Sequence, residues 1–346
     1  MGSKFNLEDF VRENVKKMTP YSSARDEFSG NGSVFLDANE NPYENGINRY
    51  PDPLQKKLKK RIGEIKGVNP ENMILGNGSD EIIDLLFRAF CEPNKDNVVI
   101  CTPTYGMYEV AAGVNAVAIK EVNLDEDFQP NIKKLIQTAD MNSKMLFLCS
   151  PNNPTANLFE ESKVEELLEK FNGIVIVDEA YIDFSPNKSL SRKLSEYSNL
   201  VILQTLSKAW GMAGIRLGIC YSSDEIIEVL NKIKPPYNVN ELTQQKALER
   251  ILNRQDVQNE IEKILIERSV LIDKLNVIPF VKKVYPTNAN FILVKVDDAT
   301  KRYNQLIDKG VVIRNRTTQP LCENTLRFTI GTAEENIKLL NALKEI

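Results

Sequence analysis

The chain has 346 residues, 44 basic and 48 acidic side chains and a net charge of −4, a near balance that offers no basic surface for nucleic acid. It contains no histidine, which excludes Ser-His-Asp triads, Cys-His dyads and imidazole-ligated metal sites and leaves proton transfer to lysine, carboxylate or tyrosine. Its 5 cysteines lack C-x-x-C spacing and read as reduced packing residues of a cytoplasmic protein, and no apolar run reaches the length of a membrane span.

Along the chain, residues 1–29 are polar, broken by Pro20, and read as an N-terminal arm. Asp52 and Pro53 cap a helix of Leu, Lys and Ile that stops at Gly67. The Lys56-Lys57 and Lys59-Lys60-Arg61 run on that helix reads as a solvated face. Strands are predicted near 73–75, 97–102, 116–122, 145–149, 174–178, 200–205 and 216–221, alternating with helical stretches. The expected core of residues 30–236 is therefore a mainly parallel sheet between helices. A helix starting near Asp224 runs to Lys234 and meets Pro235-Pro236, a natural break. Residues 237–346 then carry long charged amphipathic helices, strands at 290–295, 311–314 and 325–329, and a closing helix, the pattern of a smaller α/β unit.

Four segments carry chemistry. In Asn72–Phe87 a short strand passes through a Gly-rich turn into an amphipathic helix, whose first-turn amides near Gly78, Ser79 and Asp80 make an anion site. Met145–Thr155 is a buried strand running into a proline-framed loop that holds Asn153 as a rigid hydrogen-bond donor. Gly173–Tyr181 is a continuous apolar run that ends in Asp178, at the strand edge where open α/β sheets bind ligands. A buried carboxylate there is costly unless paired, and the protonated ring nitrogen of pyridoxal phosphate would pair it, with Asn153 and Tyr181 sharing the ring oxygen. In Leu203–Arg216, Lys208 stands beside Thr205 and Ser207, with Arg216 one strand-length further on. That is the set needed to hold an aldehyde cofactor with a phosphate tail, the lysine amine being made available by burial and a nearby cation. Each segment alone has an ordinary explanation as a turn, a cap or a helix start; their order along the chain is harder to account for that way.

That order of phosphate turn, aromatic, amide, carboxylate with tyrosine, lysine and arginine resembles the class I/II, fold-type I aminotransferases, over nearly the full chain. Leu36-Asp-Ala-Asn-Glu-Asn-Pro42, Asn48-Arg-Tyr-Pro-Asp52, Pro103-Thr-Tyr-Gly-Met-Tyr108, Asp178-Glu-Ala-Tyr181 and Arg327-Phe-Thr-Ile-Gly331 are similar to the histidinol-phosphate branch of that family. The resemblance implies pyridoxal 5'-phosphate as cofactor and Lys208 as the residue that bonds its aldehyde and shuttles the proton. It implies that Asp178 pairs the ring nitrogen, that Asn153 and Tyr181 bind the ring oxygen, and that Tyr105 stacks on the ring. Gly78, Ser79, Asp80, Thr205, Ser207 and Arg216 would hold the phosphate, joined by Tyr50 of a neighbouring subunit in a homodimer with shared sites. Arg327, with Arg314, Tyr21 and Asn39, would hold the anionic end of the substrates, histidinol phosphate and glutamate or 2-oxoglutarate. An aromatic or broad-specificity aminotransferase and a decarboxylase of phosphorylated amino alcohols share the same site logic, and a non-catalytic binding module is the reading from a different class.

The chain departs from the family pattern at two positions. Ala156, followed by Asn157, stands where a glycine is usual, and if the backbone there needs a positive φ, Asn157 tolerates it better than Ala156. Trp210 stands where a smaller aromatic is common, and it reads as a packing residue.

Overall fold

Two sheets organise the computed structural model, which describes residues 5–20 and 34–346; Tyr21 lies outside them. The first contains β1 (Met73–Asn77), β2 (Asn97–Thr102), β3 (Ala118–Asn123), β4 (Ser143–Cys149), β5 (Ile174–Asp178), β6 (Leu200–Thr205) and β7 (Leu217–Tyr221). Their order is β1-β7-β6-β5-β4-β2-β3. Strands β2 to β6 pair in parallel, while β7 runs antiparallel to both β6 and β1. Every residue of β5 and β6 is buried, which is why both read as unbroken apolar runs rather than alternating ones.

Helices cover both faces. Ile82, Leu86 and Phe90 of the helix Gly78–Phe90 and Ile226 and Leu230 of the helix Asp224–Ile233 pack on one side. Leu58 and Ile62 of Lys56–Lys66 and Leu167 of Glu161–Lys170 pack on the other. Phe10, Val11 and Val15 from the N-terminal segment join the first face, where Arg12 pairs with Glu92 at 3.2 Å.

The second sheet contains β8 (Val281–Val284), β9 (Phe291–Val296), β10 (Arg314–Asn315) and β11 (Thr325–Thr329), all antiparallel in the order β10-β11-β9-β8. Leu271 and Leu275 of the helix Arg254–Leu275 and Leu339 and Leu343 of Ala333–Lys344 close its core. The sequence gives no strand signal at β8 because Val-Lys-Lys-Val is half exposed and lacks an apolar run. The strand expected at 311–314 reduces to an edge pair, with Val312 fully in solvent.

Three local readings meet the structure directly. The helix expected after Asp52 forms, with Asp52 Oδ2 accepting from Lys56 N–H at 2.6 Å and Gly67 ending it at φ 69°. Lys59 is not part of a solvated face: it is buried, and burial together with Lys234 pushes its ammonium down to about 8. At the loop after Pro154 the positive φ falls on Ala156, at 66°, not on Asn157. The Asn157 side chain is committed elsewhere, accepting from Thr155 Oγ1 and donating to the carbonyl of Phe128.

Gly218 in β7 is a point of closest approach. A Cβ there would lie 2.3 Å from Gly78 C and from Ser79 N, inside the turn that starts the helix Gly78–Phe90. Gly218→Ala is therefore expected to cost roughly 1–3 kcal/mol through forced displacement of that turn. Gly113→Ala, whose Cβ meets no heavy atom within 4 Å in the helix Met107–Val114, is expected to add roughly 0.5–1 kcal/mol. Urea unfolding midpoints check both; a Gly218→Ala protein as stable as the parent would contradict the steric reading.

Candidate active site

The carboxyl ends of β4, β5 and β6 open onto a cleft closed on one side by the first turn of the helix Gly78–Phe90. It adjoins the point where the chain switches from β2 outward to β3 and returns to β4, the usual ligand position in open α/β sheets. Gly78, Ser79, Asp80, Tyr105, Asn153, Asp178, Tyr181, Thr205, Ser207, Lys208 and Arg216 all line it, with Cys149 and Ala180.

One end is an anion cradle. Gly78 adopts φ 72°, and a Cβ on it would meet Arg216 Nη2 at 2.5 Å, so a side chain would exclude the guanidinium. Arg216, itself left-handed at φ 55°, pairs with Asp80 Oδ2 at 3.1 Å, and Asp80 Oδ1 accepts from Tyr105 Oη at 3.1 Å. Thr205 Oγ1 donates to Ser207 Oγ at 3.0 Å and accepts from Ser207 N–H at 3.1 Å. Two hydroxyls, a guanidinium and a helix N-terminus thus face the same space.

Asp178, 3 % exposed, ends β5 beneath this cradle. Burial pushes its carboxyl up, opposed by a hydrogen bond from Tyr108 Oη at 2.7 Å and another from Ala180 N–H at 3.0 Å. Across the cleft, Lys208 Nζ stands 5.8 Å from the ring centroid of Tyr181. Partial burial lowers the ammonium of Lys208, and so does Arg327, while Asp178 works against them. Burial raises the Tyr181 phenol, which keeps it a protonated donor.

Arg314 and Arg327 are not among the residues that line this cleft; Arg327 reaches its edge through Asn153. Arg314 and Arg327 sit directly opposite each other across β10 and β11, a pairing of like charges that an anion between them would relieve. Arg327 is pushed down to about 10, chiefly by burial and then by Arg316. Its Nη1 donates to Asn153 Oδ1, which fixes the amide so that Nδ2 faces the cleft with no protein partner among the described residues. The Nε atoms of Arg327 and Arg316 are buried and have no partner among the described residues.

Tyr50 and Asn39 are not brought to this cleft within the chain. They line a separate hollow with Glu40 and Asn240, where Tyr50 stacks on Tyr237 at 4.4 Å. Sequence reasoning missed three contributors. Tyr108 follows Tyr105 by three residues, in the first turn of the helix Met107–Val114, and Arg316 follows the two-residue strand β10 that begins at Arg314. Asp183 accepts from Trp210 Nε1 at 3.0 Å and from Lys66 Nζ at 2.8 Å, and Arg250 Nε donates to the Trp210 carbonyl at 3.0 Å, pinning the turn that carries Lys208. Trp210 therefore packs, as expected, and also hydrogen-bonds.

A lysine on the cleft wall, a buried carboxylate at a strand edge and an anion cradle on this sheet define the class of fold-type I aminotransferases. The chain matches the family aminotransferase class I and II over residues 33–343 and belongs to it. It is 59% identical over 343 residues to a histidinol-phosphate aminotransferase of Flavobacterium johnsoniae, covering 98% of each chain. A crystal structure of the histidinol-phosphate aminotransferase from Clostridium acetobutylicum superposes with a TM-score of 0.80 at 28% identity, over 86% of this chain and 90% of that one. The fold is also that of the Sinorhizobium meliloti histidinol-phosphate aminotransferase in complex with pyridoxal-5'-phosphate, with a TM-score of 0.78 at 21% identity over 86% of this chain and 82% of that one.

Removing the Arg327 charge relieves the second-largest influence that lowers Lys208, so Arg327→Gln is expected to raise the pKa of that amine. Reaction of the cofactor-free protein with a small aldehyde, trapped by borohydride and mapped to Lys208, should then have its pH midpoint at higher pH than in the parent. A midpoint that stays or falls would contradict the electrostatic account.

Proposed function

We propose that this protein transfers the amino group of L-histidinol phosphate to 2-oxoglutarate, giving imidazole-acetol phosphate and glutamate in histidine biosynthesis, with pyridoxal 5'-phosphate as cofactor. The observation that carries the reading is the convergence of Lys208, Asp178, Asn153, Tyr181 and Arg216 on one cleft. The buried Nε of Arg327, without a partner among the described residues, and the side-chain-free cradle at Gly78 suit a ligand with an anion at each end.

When bound, pyridoxal phosphate supplies an aldehyde that takes up the amino group and a cationic ring that draws electrons from the substrate's α-carbon. The chain's residues do the rest. Amides at Gly78, Ser79 and Asp80, hydroxyls of Thr205 and Ser207, and Arg216 hold the phosphate. Asp178 would pair with the ring nitrogen and favour its protonated form. Asn153 Nδ2 and Tyr181 Oη would donate to the ring oxygen, and Tyr105, tied to Asp80, would cover the ring face. Lys208 would bond the aldehyde and, when free, would be the base that takes the proton from the substrate's α-carbon and returns it to the former aldehyde carbon, a task its lowered pKa favours.

Substrate binding follows from the arginines. Histidinol phosphate has no α-carboxylate, so one group must accept a phosphate in one half-reaction and a carboxylate in the other, a task that suits the fork of Arg327, with Arg314 opposite it. Tyr50 and Asn39, away from their own cleft, serve a partner's site in a cytoplasmic homodimer. The same reading divides the chain into an arm (1–29), a cofactor-holding unit (30–236) and a smaller unit (237–346) that carries the substrate arginines.

Turnover of histidinol phosphate, phenylalanine and threonine phosphate by the reconstituted protein tests the reading, with each product identified. Histidinol phosphate is expected to be the preferred donor, Lys208→Ala to lose activity by roughly a thousandfold or more, and Arg327→Gln to raise KM for histidinol phosphate by on the order of a hundredfold. Preferred turnover of phenylalanine, or release of carbon dioxide from threonine phosphate, would overturn the substrate assignment.

A further inference from the structure

The carboxylate that faces the cofactor has a partner of its own. Tyr108, fully buried on the helix Met107–Val114, donates from Oη to Asp178 Oδ2 at 2.7 Å and is the one side chain that donates to Asp178 among the described residues. Its ring is held independently of that hydrogen bond, stacked on Phe147 at 4.8 Å and edge-on to Tyr105 at 5.6 Å. One buried phenol thus touches two residues that line the cleft, Asp178 through its hydroxyl and Tyr105 through its ring.

Packing alone does not account for the hydroxyl. A phenylalanine would make the same ring contacts, and a phenol O–H buried without need would be a cost rather than a gain. Asp178 does have a need. A carboxylate removed from water loses its hydration, and each donor that replaces a water favours the charged form and fixes the plane of the group. Ala180 N–H occupies Oδ1, so Tyr108 is what satisfies and orients Oδ2. The other groups facing Asp178 do not replace it: Asp80 repels its charge, Lys208 attracts it from across the cleft, and Cys149, Tyr105 and Tyr181 are kept neutral by burial.

We infer that Tyr108 is a positioning residue for the reaction, its hydroxyl holding Asp178 charged and aimed at the ring nitrogen of the cofactor. The inference rests on the cofactor reading of this cleft. It assigns to Tyr108 a role in cofactor affinity and in electron withdrawal, with no contact to substrate, so its loss lowers kcat and cofactor affinity and leaves KM for histidinol phosphate nearly unchanged.

A double-mutant cycle over wild type, Tyr108→Phe, Asp178→Asn and the double variant tests it, read as the dissociation constant of pyridoxal phosphate by fluorescence quenching and as unfolding midpoints of the cofactor-free proteins. Tyr108→Phe is expected to weaken cofactor binding about tenfold, the loss of one hydrogen bond to a charged group. In the Asp178→Asn background the same change is expected to alter affinity less than about twofold. As pH is lowered, affinity in Tyr108→Phe should fall off at a higher pH than in wild type, because losing a donor to the charged form makes Asp178 easier to protonate. Wild-type affinity in Tyr108→Phe, or an equal loss in both backgrounds, overturns the inference. If Tyr108→Phe does not fold, 3-fluorotyrosine placed at position 108 keeps ring and hydroxyl while changing donor strength; an unshifted pH profile in that protein overturns it too. Absence of pyridoxal phosphate binding by wild type would instead remove the cofactor reading beneath it, which keeps the two failures distinct.

Discussion

A carboxylate buried at the end of a central strand is the constraint on which the rest of the site depends. Asp178 closes β5, a strand buried at every position, so it cannot turn to solvent without unpairing from its neighbours on both sides. Its charge is tolerable only when something cationic lies beside it and donors replace its lost water. Tyr108 and Ala180 supply the donors, and the cleft supplies the space for the cation. The turns after β4 and β6 and the helix N-terminus after β1 then place an amide, a lysine and an anion cradle around that one carboxylate.

The arginine end follows a complementary logic. Arg314 and Arg327 face each other across two strands, Arg316 stands nearby, and none of the three pairs with a carboxylate among the described residues. Three cations held together without an anion raise the energy of the empty site, and an incoming phosphate or carboxylate removes that penalty. Arg327 also spans the two sheets, reaching from β11 to Asn153 in the loop after β4, so the arginine proposed to hold substrate and the amide proposed to face the cofactor are mechanically linked.

Much of this was legible in the chain because the informative positions are ones where residue type is forced. Parallel strands buried on both faces announce themselves as apolar runs, and Asp178 marks the end of one. Gly78 and Lys208 sit in turns that are ordinary one by one and become informative through their order along the chain. What escaped is what depends on tertiary contact. Tyr108 looks like any aromatic on a helix until its hydroxyl is seen against a strand 70 positions away. Lys59 belongs to a basic run, and nothing local distinguishes it from its exposed neighbours until Lys234 and the helix packing bury it. Ala156 shows the same limit in backbone form: Asn157 has the better left-handed propensity, but its side chain is used to tie the loop to Phe128, and the strained conformation passes to the alanine.

The central claim is that Asp178 keeps a bound cationic ring protonated. The most direct test is the ¹⁵N chemical shift of the pyridine nitrogen in protein reconstituted with pyridoxal phosphate labelled at that atom. The account predicts a protonated nitrogen in the wild-type protein at neutral pH and an unprotonated one in Asp178→Asn. A wild-type nitrogen that is unprotonated, or one that remains protonated in Asp178→Asn, would contradict it.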